Sequence, residues 1–353
     1  MIQKIRWLWC AVALLLCTTV SAATPLTVIP GGNTIGLQMQ TEGVSVVDFS
    51  EQEPKKAGMK SGDLICEADG TAVSTAAELT KAVQASCGAP MHLTIRRGDE
   101  VRKITLAPHR AKDGWCLGIF VRDSISGIGT VTYYTDEGGF GALGHAICGA
   151  DGSLLPMREG AVLQTQIVSV IKGRQGAAGA LQGAVNGRRC CGVLLQNTKQ
   201  GIFGTMQPPE GKAVPIGTRT QAHTGAATIL SNIRGSEVCA YSVQVSEIFP
   251  NDGQGRNFLL KVTDKALLEK TGGIVQGMSG SPILQDGRLI GAVTHVLLDD
   301  PTQGYGIFIE AMLEAQNTPA ENSASVFFMP GLAAAGASPG STVAAAPIAL
   351  IQP

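Results

Sequence analysis

The sequence predicts a mainly β protein, and three observations carry that prediction. Glycine is abundant, at 45 of 353 residues, while aromatic residues make up only 5%; many short strands joined by tight turns give that profile, and a helical bundle does not. Alternating apolar runs recur along most of the chain, separated by turn pairs such as Asp69-Gly70 and Asp300-Pro301. Helical periodicity is confined to Ala77–Ala85 and Lys265–Lys270. The length is enough for two domains and a substantial core. Basic and acidic residues nearly balance, 27 against 28, which argues against a nucleic-acid groove or a polybasic membrane patch.

At the N-terminus, Lys4 and Arg6 precede the apolar run Trp7–Leu16, and Val20-Ser21-Ala22 supplies a small-x-small cleavage pattern. Residues 1–23 therefore read as a secretory signal or an uncleaved signal anchor, with the body outside the cytoplasm either way. Beyond that segment stand Cys66, Cys87, Cys116, Cys148, Cys190, Cys191 and Cys239. No spacing among them makes a zinc pattern, so structural thiols with a disulfide or two are expected, and no metal or cofactor. Residues 317–353 turn to Ala, Pro, Ser and Gly without periodicity and read as a low-complexity tail.

Residues 30–110 form the first domain. Ile35–Met39 and Val44–Val47 read as a strand pair around Glu42-Gly43, and Ala57–Asp63 as a tight turn into Leu64-Ile65. Thr75-x-x-Glu78 is a capping box ahead of Leu79, Ala82 and Val83, which share a helical face. Met91, Leu93 and Ile95 alternate up to Arg97-Gly98-Asp99. The Ala57-Gly-Met-x-x-Gly62-Asp63-x-Ile65 run with Asp69-Gly70 resembles a PDZ domain. That resemblance implies a peptide ligand added as a strand beside Ile35, Gly36, Leu37, Gln38 and Met39, with Ala77–Ala85 as the other wall.

Residues 114–316 form the second domain, almost wholly strands and turns. Its chemistry centres on Gly-Met-Ser-Gly-Ser-Pro at Gly277–Pro282. Gly277 permits a tight turn after which the N–H groups of Gly277 and Ser279 can face a developing oxyanion, with Ser279 as nucleophile. A glycine-rich hairpin turn is the plainer reading. His145, closing Phe140-Gly-Ala-Leu-Gly-His145, is the candidate base. Histidine before serine in the chain is the chymotrypsin order, and Ser281 excludes the G-x-S-x-G elbow. The expected fold is a PDZ domain followed by a chymotrypsin-like double β-barrel serine protease domain. Met278 stands where digestive proteases carry an activation Asp, so control by that salt bridge is not expected.

The chain further resembles the stage IV sporulation protein B peptidases. The runs that carry this are Ile29–Gly36, Arg122-Asp-Ser-x-x-Gly-Ile-Gly-Thr130, Phe140–His145, Gly201-Ile-Phe-Gly204, Lys270–Ile283 and Gly291–Val296, with Asp300-Pro301 and Gly304-Tyr305-Gly306. Departures lie in the tail and in Gln175–Arg189, expected to be a lengthened loop. The resemblance implies His145 as general base, Ser279 as nucleophile and Asp264, in Val262-Thr-Asp-Lys265, as the orienting acid. Asp264 could equally N-cap the following helix, and Asp151 and Asp252 stay open as alternatives. His295 reads as a structural strand histidine. The resemblance also implies self-cleavage and cleavage of a membrane-bound regulator's extracytoplasmic part, between mother cell and forespore during endospore formation. An inactive PDZ scaffold and a degradative protease are the rival readings.

Overall fold

The computed structural model describes residues 26–149, 151–318 and the pair 342–343; the signal or anchor segment 1–23 and most of the tail lie outside the described residues. Strand β1 (Thr27–Pro30) leads into β2 (Thr34–Phe49), 16 residues long, which serves two structural units. A hairpin at Glu42-Gly43, the sequence expectation, does not form. Continuing past a bulge between Gln40 and Ser45 lets Ile35, Leu37 and Met39 enter one apolar core and Val44 and Val46 another. A hairpin would have stacked the two segments on a single small face.

The first unit continues through β3 (Leu64–Ala68), β4 (Thr71–Ala72), the helix Ala76–Ala85, β5 (Met91–Arg97) and β6 (Glu100–Leu106), then the hairpin β7 (His109–Ala111) and β8 (Gly114–Cys116). Asp69 and Gly70 have φ values of 49° and 77°, as a two-residue hairpin turn between twisted strands demands. The capping box is complete: the Thr75 hydroxyl accepts from Glu78 N–H, and the Glu78 carboxylate accepts from Thr75 N–H. Leu79 and Val83 then bury one helix face against Val44, Val46, Ile65, Leu93 and Ile95. Asp63 is fully buried and pairs with Arg97 through bonds of 2.6 and 2.7 Å, which ties the Gly62-Asp63 turn to β5.

Strand β9 (Ile119–Tyr134) leaves this unit and enters the next. With β10 (Gly139–Ala142), β11 (Met157–Ile171), β12 (Ala180–Thr198) and β13 (Gly201–Met206) it closes a ring in the order β9-β10-β13-β12-β11-β2, and β2 pairs back to β9. After β14 (Val214–Pro215), which pairs with β1, a second closed barrel follows. It consists of β15 (Gly225–Arg234), β16 (Glu237–Ile248), β17 (Phe258–Val262), β18 (Pro282–Gln285), β19 (Arg288–Val296) and β20 (Gln303–Phe308). The helix Ile309–Asn317 and β21 (Thr342–Val343), which pairs with β12, end the described chain.

The fold is mainly β, with a PDZ unit and two closed barrels, in line with the sequence expectation. Residues 34–41 of β2 also pair with β9 and β11 in the first barrel, so the PDZ unit stands between two strands of that barrel. The Gln175–Arg189 segment is already strand from Ala180, because β11 offers it a long partner. The seven described cysteines are all free, so the expected disulfides do not form among them.

Candidate active site

The loop between the Lys265–Thr271 helix and β18 is fixed by its carbonyls. Gln276 C=O accepts from Leu181 N–H at 2.8 Å, and Met278 C=O accepts from Ser281 N–H at 2.9 Å. Every peptide bond here is trans, so the N–H groups of Gly277 and Ser279 point opposite to those two carbonyls. Neither N–H has a protein acceptor among the described residues. Two oriented, unused donors beside a serine are the kind of groups from which an oxyanion hole is built. Gly277 reaches this conformation at φ 96°, a region open to glycine.

Strand β9 clamps the loop from behind. Thr130 N–H donates to Ser279 C=O at 2.9 Å, and its hydroxyl donates to Gly277 C=O at 2.7 Å. The Thr132 hydroxyl donates to Gly280 C=O at 2.8 Å. Both threonines are fully buried, so these bonds are sheltered from water and costly to leave unmade.

His145 arrives from the other barrel. Past β10, Leu143 and Gly144 have φ values of 67° and 69°. Leu143 is strained there, at a cost of about 1–3 kcal/mol. The turn sets Gly144 against Thr294 and brings the His145 ring to 5.4 Å from that of His295. Asn197 braces the chain behind it: its side chain accepts from Ile147 N–H and donates to the carbonyls of Ile147 and Leu155. His145 Nδ1 lies 2.8 Å from Ala146 C=O. A carbonyl only accepts, so Nδ1 carries the proton and Nε2 keeps its lone pair. Nε2 has no partner. Burial pushes the His145 pKa down, which keeps the ring neutral and able to act as a base.

The structure thus brings His145 and Ser279 into one buried region without a bond between them. The Ser279 hydroxyl donates instead to Thr294 C=O at 2.9 Å.

Asp264 is not part of that region. Its carboxylate accepts from Leu267 N–H at 3.0 Å and Ser242 N–H at 3.4 Å, capping the Lys265–Thr271 helix. The alternatives are engaged elsewhere too: Asp151 accepts from Ser153, and Asp252 from Arg256 N–H. Among the described residues no carboxylate is hydrogen-bonded to His145, and the Ala146 carbonyl holds the position expected of the acid. Asn caps a helix as well as Asp. Asp264→Asn should therefore leave stability unchanged and the hydrolysis rate within a few-fold of the parent. A loss of about 10⁴-fold would instead put Asp264 against His145 in the working state.

The sequence reading treated His295 as structural and gave no role to Thr130 or Asn197. His295 Nδ1 is buried without a partner. Burial, together with the neighbouring His145 and Arg256, pushes its pKa down to about 3. An unfolded chain protonates a histidine near 6.5, whereas this pair refuses the proton when folded. The stabilisation is therefore complete above pH 6.5 and lost as pH falls below it, by up to roughly 1.4 kcal/mol per pH unit for each histidine. Urea midpoints measured between pH 7.5 and 4.5 should fall accordingly, and His295→Gln should flatten the slope. A flat parent profile would show that the rings are not sequestered.

The predicted peptide strand needs correction. Ile35, Gly36, Leu37, Gln38 and Met39 are paired on both edges, with Ile125–Gly129 of β9 and Gly160–Gln164 of β11. They have no free edge for a ligand. A Cβ at Gly36 would stand 2.6 Å from Thr165 Oγ1, so a bulky residue there would disrupt the barrel rather than block a groove.

A family model described as SpoIVB peptidase S55 matches residues 113–313, and a PDZ domain model matches residues 34–107. No curated protein matches the chain. Among solved structures, the PDZ domain of an SdrC-like protein from Listeria monocytogenes is 25% identical, with a TM-score of 0.22, covering 23% of this chain and 90% of that one. The HtrA-type protease AlgW with a tripeptide is 14% identical, with a TM-score of 0.34, over 54% of this chain and 55% of that one. An inactive form of the Rv3671c protease of M. tuberculosis is 14% identical, with a TM-score of 0.32, over 55% and 85%.

Proposed function

The chain belongs to the SpoIVB peptidase S55 family, which makes it a serine endopeptidase with a PDZ domain, and from that premise we propose that Ser279 and His145 carry the reaction. The observation behind this assignment is the pair of fixed, unused N–H groups at Gly277 and Ser279 beside a neutral, buried histidine. The Ser279 hydroxyl turns from Thr294 C=O to His145 Nε2, which takes its proton as Oγ attacks the scissile carbonyl. The two N–H groups receive the negative oxygen. His145 then returns the proton to the leaving amine, and a water deprotonated by His145 releases the acyl group. On the side of β19 facing the loop, Thr294–Val296 has no strand partner among the described residues, and this edge receives the substrate backbone, with Thr294 C=O accepting an N–H once the Ser279 hydroxyl has turned away.

The substrate in this proposal is the extracytoplasmic part of a membrane-bound regulator, together with the chain itself, and the setting is the space between mother cell and forespore. Support comes from the family membership and the signal-like residues 1–23. A fluorophosphonate probe tests the assignment: it should label Ser279, and the label should vanish in His145→Ala. Absence of labelling under all conditions would favour an inactive scaffold. Incubating the purified chain and mapping new termini by mass spectrometry tests self-cleavage, which must disappear with Ser279→Ala.

A further inference from the structure

Two buried nitrogens in the region of Ser279 have no hydrogen-bond partner, His145 Nε2 and His295 Nδ1. Each residue is only 8% exposed. Buried polar atoms left unpaired are uncommon, and each calls for an explanation. The two rings come from opposite barrels. His145 follows the turn after β10, and its Nδ1 is fixed on Ala146 C=O, so Nε2 presents a lone pair. His295 lies in β19, where it pairs with Tyr305 of β20. The Ser279 hydroxyl is bonded to the C=O of Thr294, the residue before His295.

The spacing of the rings has a chemical meaning. Their centroids are 5.4 Å apart and their planes are tilted by 36°. Two imidazoles bound to one tetrahedral zinc, at Zn–N distances of about 2.0–2.1 Å, hold their centroids roughly 5 Å apart. The fold therefore already sets two imidazoles at the separation that one shared ion needs. Imidazole nitrogen suits zinc, whereas magnesium and calcium take oxygen ligands. Among the described residues no third His, Cys, Asp or Glu joins the pair in a metal-binding group, so water fills the remaining positions. Arg256, whose charge is felt at His295, is paired with Asp252.

We propose that His145 Nε2 and His295 Nδ1 form an inhibitory site for a zinc ion, which bridges the two barrels and holds the peptidase off until it leaves. His295 binds as the Nε2–H tautomer, which leaves Nδ1 free to ligate. The ion takes the lone pair with which His145 deprotonates Ser279, so a loaded chain has no base. Inhibition rests on the peptidase reading, whereas binding of the ion does not. A packing contact between two structural rings predicts neither effect.

The test begins with binding, on the full chain carrying Ser279→Ala, its thiols blocked with iodoacetamide so that cysteine does not take the ion. Zinc sulfate is titrated in competition with a zinc-sensitive dye. The chain should bind one equivalent, magnesium chloride should not displace it, and His295→Gln and His145→Ala, which alter different barrels, should each weaken binding about tenfold or more. No bound zinc, or equal binding by both variants, would overturn the site. With Ser279 restored, saturating zinc should slow fluorophosphonate labelling about 10²-fold or more, because the base is lost. EDTA should restore the rate, and His295→Gln should label equally fast with and without zinc. Labelling of the parent that ignores zinc, or that slows equally in His295→Gln, would overturn the inhibition. A parent that never labels would count against the peptidase reading, and the dye titration would still decide the site.

Discussion

Ser279→Ala should remove about 10⁴-fold or more of the hydrolysis rate while the protein remains folded. In the proposed mechanism the nucleophile is the Ser279 hydroxyl alone, so its removal leaves no group to attack the scissile carbonyl. What the substitution removes from the fold is the single bond to Thr294 C=O, worth about 1 kcal/mol. The carbonyl network behind the loop does not involve the Ser279 side chain, so the N–H groups of Gly277 and Ser279 should stay in place. The variant should therefore still bind an aldehyde or boronate-sized substrate fragment non-covalently while failing to cleave. Purified Ser279→Ala that cuts at a rate comparable to the parent would disprove the assignment. A variant that has lost its cooperative unfolding transition would contradict the small structural role given to the hydroxyl.

Much of this site was legible because its chemistry is local. Gly277 and Ser279 must lie on one tight turn, and a turn is encoded by neighbouring residues. The capping box at Thr75 and Glu78 was legible for the same reason. Strand partners are not local. Ile35–Met39 alternates equally well beside a hairpin neighbour or inside a barrel, and the choice depended on β9 and β11, which lie far along the chain. Asp264 shows the complementary limit: an Asp before a helix satisfies both a cap and a triad pattern, and only its bonds to Leu267 and Ser242 N–H distinguish them. Thr130 gave no signal of its own. It closes the Arg122–Thr130 run, yet its function arises from contact with a loop 147 positions later.

That contact makes Gly280 the position where the smallest change should have the largest structural effect. A Cβ there would lie 2.0 Å from the Thr130 carbonyl oxygen and 2.5 Å from Leu143 N. Both are backbone atoms of the first barrel, so neither can rotate aside as a side chain could. The residue also has φ 94°, where an L side chain is strained whatever the space. Gly280→Ala must therefore push apart three elements at once: the nucleophile loop, the Thr130 clamp and the turn that aims His145. A destabilisation of about 4 kcal/mol or more is expected, with fluorophosphonate labelling slowed about 10²-fold or more, because displaced groups cost rate steeply. Gly253→Ala provides the contrast, since nothing stands within 4 Å of its Cβ, and it should shift stability by less than about 0.5 kcal/mol. Urea titration of both variants, with labelling rates measured in parallel, decides the matter. If Gly280→Ala proved as stable and as reactive as the parent, the two barrels could not meet as closely at Thr130, Leu143 and Gly280 as they do here, and the route by which β9 holds the Gly277–Ser279 loop would fail with them.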